Sequence, residues 1–179
     1  MVKWLAVGAC FLLAQAQNPD LHIAADLGFS VTKPKGGDWE FKTKNGFLRD
    51  SQVIVKHAKE DVAVEFVVTL PASDSHDPKK AAEGIYTEQV ADDKNKEVRK
   101  RKAAEDLVLP NKARGFVTEV LIRDKNDKFT EWHVYCWVGR ENRCLYKVHV
   151  INPDGSYDKH KKDLDSILAS IRTAKLPKK

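Results

Sequence analysis

Two segments decide the fold: FTEWHVYCWVG, residues 129–139, and CLYKVHVIN, residues 144–152. Both are rich in β-branched and aromatic residues, which favour extended chain. The short polar connector Arg140-Glu141-Asn142 joins them as an antiparallel hairpin. Upstream, Phe116–Arg123 reads as a third strand, linked through Asp124-Lys125-Asn126-Asp127-Lys128, so this half of the chain is a three-strand meander. Downstream, Asn152-Pro153-Asp154-Gly155 ends the sheet, and Ser156 or Asp158 can cap a closing helix. Its apolar residues Leu164, Ile167, Leu168 and Ile171 recur at i, i+3, i+4 and i+7, one face of an amphipathic helix.

The first half continues the pattern. Phe29–Thr32, Trp39–Lys42 and Ser51–His57 are short strand segments; Asn45-Gly46 marks a turn, and Val53 and Val55 share a face. Val62, Val64, Phe66, Val68 and Leu70 alternate at period two. The opposite face, Ala63, Glu65, Val67 and Thr69, is half polar, which predicts partial cover. Asp77 followed by Pro78 predicts the start of a middle helix carrying Ala81, Ala82, Ile85, Tyr86, Gln89 and Val90. The densely charged stretch Asp92–Asp106 reads as a further helical segment in preference to an edge strand. With no internal repeat and no low-complexity linker, the expectation is an α+β fold, an antiparallel β-sheet flanked by helices, in a single domain over residues 17–179 with a basic C-terminal tail, Lys175–Lys179.

Residues 1–16 concern address. The cation Lys3 precedes an apolar run, Trp4–Ala14, that ends in Ala14-Gln15-Ala16, the pattern of an export signal cleaved between Ala16 and Gln17. Eleven apolar residues are too few for a membrane span, which needs roughly 20. A second reading, lipidation at Cys10 in Val7-Gly8-Ala9-Cys10, leaves only Trp4–Ala9 as apolar core, short of the usual length. The mature chain is thus expected to be exported, periplasmic or secreted. Removing 16 of 179 residues, Lys3 among them, leaves 163 residues with 30 basic and 26 acidic side chains, a net charge of +4. That modest excess, without aromatics interleaved among the cations, does not indicate nucleic acid.

The 129–152 hairpin holds the most unusual chemistry. In an oxidising compartment Cys136 and Cys144 predict a cross-strand disulfide, with buried free thiols as the alternative. Matching one apolar face of each strand allows a register with Cys136 opposite Cys144, or one with His133 opposite His149. Either places both histidines on one face beside Tyr135 and Trp137, where a third ligand would complete a transition-metal site. A packed aromatic–polar patch is the plainer outcome. The run Arg99-Lys100-Arg101-Lys102 is the one concentrated cationic feature, suited to an anionic partner or simply to solvent. No G-x-S-x-G, C-x-x-C, H-E-x-x-H or phosphate-cradling glycine loop occurs, so no catalytic residue and no cofactor is expected.

The element order, together with Gly28-Phe29-Ser30-Val31-Thr32-Lys33-Pro34 and Trp39, and the closing Leu164-Asp165-Ser166-Ile167-Leu168-Ala169-Ser170-Ile171-Arg172, resembles the PsbP-like α/β/α sandwich family, including its exported bacterial members. The resemblance spans roughly Leu21–Leu176. It implies a non-catalytic accessory or binding domain, acting on a protein or small ligand outside the cytoplasm. A monomer is expected. No partner-binding motif carries over residue by residue.

Overall fold

The computed structural model describes residues 18–176 except positions 37, 44–45, 49, 71–76, 93–96 and 124–127. The expected export signal, with Cys10 and the Ala16–Gln17 junction, Asn45 and the end of the basic tail therefore lie outside the described residues. Among the described residues, ten strands and two helices follow in the order β1 (Leu21–Ala24), β2 (Phe29–Thr32), β3 (Trp39–Lys42), β4 (Val53–His57), β5 (Ala63–Thr69), α1 (Pro78–Asp92), β6 (Glu97–Val108), β7 (Arg114–Arg123), β8 (Phe129–Val138), β9 (Leu145–Pro153), α2 (Tyr157–Ser170) and β10 (Arg172–Thr173).

Seven strands form one antiparallel sheet in the order β3-β4-β5-β9-β8-β7-β6. Both of its faces are covered. Helix α2 and a small sheet of β1, β2 and β10 close one face around Phe29, Val31, Phe66, Tyr135, Trp137, Tyr146, Val148, Leu164 and Ile167. Helix α1 closes part of the other through Ala82 and Ile85, packed against Val120, Ile122, Trp132, Val134, Cys136 and Ile151. The small sheet is held by aromatic contacts: Phe29 stacks on Phe66 at 5.1 Å and meets the edge of Tyr146 at 5.9 Å. This is an α/β/α sandwich, the predicted class.

The helix ends follow their local chemistry. Asp77 caps α1 by accepting the Lys79 and Lys80 amides on Oδ1, at 2.9 and 3.2 Å, with Pro78 at the first helical position. Ser156 precedes α2, but its hydroxyl donates back to the Pro153 carbonyl at 2.7 Å instead of capping the helix. The cover over β5 is the loop around residues 46–51. Fully buried Glu65 accepts the Phe47 amide, the Leu48 amide and the Ser51 hydroxyl at 2.5, 3.0 and 2.6 Å. A buried carboxylate is tolerable with such donors and costly without them.

Two expectations are corrected. Glu97–Val108 is a twelve-residue edge strand, β6, and not a helix. Its composition tolerated either form; the free edge of β7 decided the matter by offering a ladder to pair with. Charges along β6 also protect that edge from further pairing. The second correction is the register of the hairpin. Strands β8 and β9 pair Trp132 with Ile151, Val134 with His149, and Cys136 with Lys147, one residue away from the register that pairs the histidines and three from the one that pairs the cysteines. Matching one apolar face to another constrains register only when a single face is buried. Here both faces are covered, so a one-residue slip costs little burial and the turn decides.

In that turn the Gly139 amide donates to the Cys144 carbonyl at 2.8 Å, and the Arg143 amide to the Gly139 carbonyl at 2.9 Å. Asn142 sits inside it, buried. Its Nδ2 reaches the Gly28 and Ala174 carbonyls and the Tyr146 hydroxyl, while Oδ1 accepts the Cys144 amide. Gly28 has φ +67°, and a Cβ there would lie 2.5 Å from Asn142 Nδ2, so this position needs glycine on two counts.

Candidate functional site

A recess lies at one end of the sheet, where the β6–β7 turn, the β8–β9 turn and the segment after α2 come together. It is a cleft of about 820 Å³. Lys112, Arg114, Arg140, Arg143 and Arg172 line it, with Trp137 behind them and Glu141 as the one acid. Arg172 spends its guanidinium on the Ala169 and Ile171 carbonyls, at 2.6 and 2.9 Å, closing the end of α2. The other four cations are exposed and have no carboxylate partner among the described residues.

The two turns position these cations by unusual backbone. Lys112 and Arg143 are the non-glycine residues with positive φ among the described residues, at 66° and 58°, and both lie on the cleft. The left-handed region is disfavoured for long side chains, and such conformations gather at functional sites. The first turn is closed by the Lys112 amide on the Leu109 carbonyl and the Leu109 amide on the Ala113 carbonyl, both 2.8 Å. What results is a rigid rim of like charges around an open cavity, an arrangement whose repulsion an anion would relieve.

The histidines expected to act together are separated. His133 faces α2, stacked on Tyr157 with ring centroids 4.2 Å apart. His149 lies on the α1 side, edge-on to Trp132, where full burial pushes its pKa down to about 3. The pairing of His149 with Val134, and of His133 with Val150, puts the two rings on opposite faces. His133 instead meets two carboxylates: Glu131 Oε1 at 3.0 Å from Nε2 and Glu119 Oε1 at 3.6 Å from Nδ1.

The expected disulfide is likewise corrected. Cys136 and Cys144 are free and buried, the first in the α1-side core and the second in the α2-side core. Burial pushes the Cys136 thiol up to about 12 and raises that of Cys144, so both are poor nucleophiles.

The run Arg99–Lys102 lies on exposed strand β6, with much of its charge already engaged. Arg99 pairs with Glu97 and lies over the Phe129 ring, and Lys102 pairs with Glu105. Arg101 lies between the paired positions Lys100 and Lys102, where the register shifts, and reaches Asp154 at 2.7 Å and Glu131 at 3.5 Å. The cleft's cations went unnoticed in the sequence because they are scattered singly over sixty residues. The legible hint was that both hairpin tips carry cations where turns usually carry glycine, asparagine or aspartate.

No protein-family model and no curated protein matches the chain. Solved structures do. The solution structure of cyanobacterial PsbP (CyanoP) from Synechocystis sp. PCC 6803 superposes with a TM-score of 0.59 at 11% identity, covering 86% of this chain and 91% of that one. The crystal structure of LpqN, involved in cell envelope biogenesis of Mycobacterium tuberculosis, gives 0.52 at 12% identity, covering 84% and 87%. A Bacteroides thetaiotaomicron structure gives 0.51 at 11% identity; the match covers 87% of this chain but 48% of that one. The chain thus has the PsbP-like α/β/α sandwich fold. At these identities the likeness concerns fold alone.

Proposed function

We propose that the protein is an exported, non-catalytic binding module whose working surface is the cationic cleft, and that its ligand is anionic. The observation that carries this is the convergence of Lys112, Arg114, Arg140 and Arg143, unpaired with any described carboxylate, around one cleft of about 820 Å³. Free cations are normally spread over a surface or interleaved with acids. Holding four together on two strained turns has a cost that a bound anion repays. The N-terminal leader supports an extracytoplasmic setting, as does the likeness to LpqN, a protein involved in cell envelope biogenesis. The buried, proton-holding thiols and the lack of catalytic motifs support binding over turnover.

The test is calorimetric titration with pyrophosphate, citrate and a heparin oligosaccharide. At least one of the three is expected to bind, with affinity falling tenfold or more in an Arg114→Ala/Arg143→Ala double variant of unchanged melting temperature. Lys100→Ala, on the β6 face, should bind as the parent does. If no anion binds, or if Lys100→Ala loses as much as the double variant, the cleft is not the working surface.

A further inference from the structure

The side chains of Glu119, Glu131 and His133 approach one another on the α2 face of the sheet. One ligand atom from each can be chosen so that all three lie within 4.8 Å of one another. The register explains this: Glu119 stands directly opposite His133 across β7 and β8, and Glu131 is two residues before His133 on the same face. A fourth donor, the third oxygen, belongs to the same neighbourhood. Asn152 stands opposite Glu131 on β9 and is fully buried, and its Oδ1 has no hydrogen-bond partner. An orphaned buried carbonyl oxygen is costly and calls for an occupant.

From these positions we infer that Glu119, Glu131 and His133 form a binding site for one divalent transition-metal ion, with Asn152 Oδ1 available as a further ligand. The site is separate from the cationic cleft and does not depend on it. One imidazole and two carboxylates suit borderline ions such as zinc. The ring is already oriented by its stack on Tyr157. Glu131 and His133 are buried, whereas the Glu119 side chain keeps about a quarter of its surface exposed and marks the entry side. The competitor is Arg101, whose guanidinium lies 3.5 Å from Glu131 but holds Asp154 more closely, at 2.7 Å. Metal entry needs Arg101 to give up only the longer contact.

Equilibrium dialysis of the untagged protein with Zn²⁺, and visible absorption with Co²⁺ as a coordination probe, test the site. One ion per chain is expected, with affinity reduced at least tenfold in Glu119→Gln and in His133→Gln. Glu119 is partly exposed, so its amide variant keeps the fold even if the His133 variant does not. Arg101→Ala should bind more tightly than the parent, because it removes the competing cation. Binding of Zn²⁺ that ignores Glu119→Gln, that is unchanged or weakened in Arg101→Ala, or that is absent altogether would overturn the proposal.

Discussion

His149 shows most clearly what burial does to a single residue here. Its ring is enclosed, Nδ1 lacks a partner, and desolvation, helped by the nearby Lys147 charge, holds it neutral with a pKa of about 3 against an ordinary 6.5. The unfolded chain therefore takes up a proton that the folded one refuses. The stability this implies is complete above about pH 6.5 and declines as pH falls from there towards 3, by at most about 1.4 kcal/mol per pH unit. His22 is shifted the same way by its own burial, against the pull of Asp26. His149→Leu should flatten the acid limb of the urea midpoint plotted against pH without abolishing it. Parallel curves for variant and parent would show that His149 does not drive the decline.

At the scale of elements, β6 is the exposed boundary of the large sheet. No described strand pairs with its outward edge, its side chains are mostly exposed and many are charged, and its register with β7 shifts between Lys100 and Lys102 and again between Lys102 and Glu105. Charges and irregularities of this kind blunt an edge that would otherwise template a second copy. Replacing Lys100 and Glu105 together by valine should add concentration-dependent association in sedimentation velocity that the parent lacks. A variant that still sediments as the parent does would mean that the bulged register alone protects the edge.

For the whole molecule, two predictions concern charge and covalent state. Anion binding at the cleft should weaken steeply between 50 and 300 mM salt, an order-of-magnitude range chosen around a Debye length near 10 Å. Insensitivity to salt would mean that the cleft's cations do not hold the anion. Intact mass of the protein exported by its host should begin at Gln17, with both remaining thiols inert to alkylation until the chain is unfolded and reactive then without reductant. Retention of Met1 would remove the basis for export, and a requirement for reductant would restore the disulfide.

Much of the fold was legible because it is local. Period-two alternation located β5, and runs of strand-favouring residues between polar turns located β7, β8 and β9; Asp77-Pro78 located the start of α1; and the spacing of Leu164, Ile167, Leu168 and Ile171 located α2. His133 was singled out as a candidate ligand beside His149, and the fold sets the two rings on opposite faces of the sheet. Periodicity says which residues share a face of one strand, and says nothing of which face of the neighbour they meet when both are buried. That choice fell to the Gly139–Cys144 turn and the Asn142 bonds to Gly28 and Ala174, more than 100 and about 30 residues distant. The same tertiary closure parted the cysteines, brought Glu119 and Glu131 to His133, and assembled the cleft from two hairpin tips and the end of a helix. The sequence by itself determined the elements and their class, because each depends on neighbours along the chain. Register, edge and site depended on contacts across it, and only the folded structure decided them.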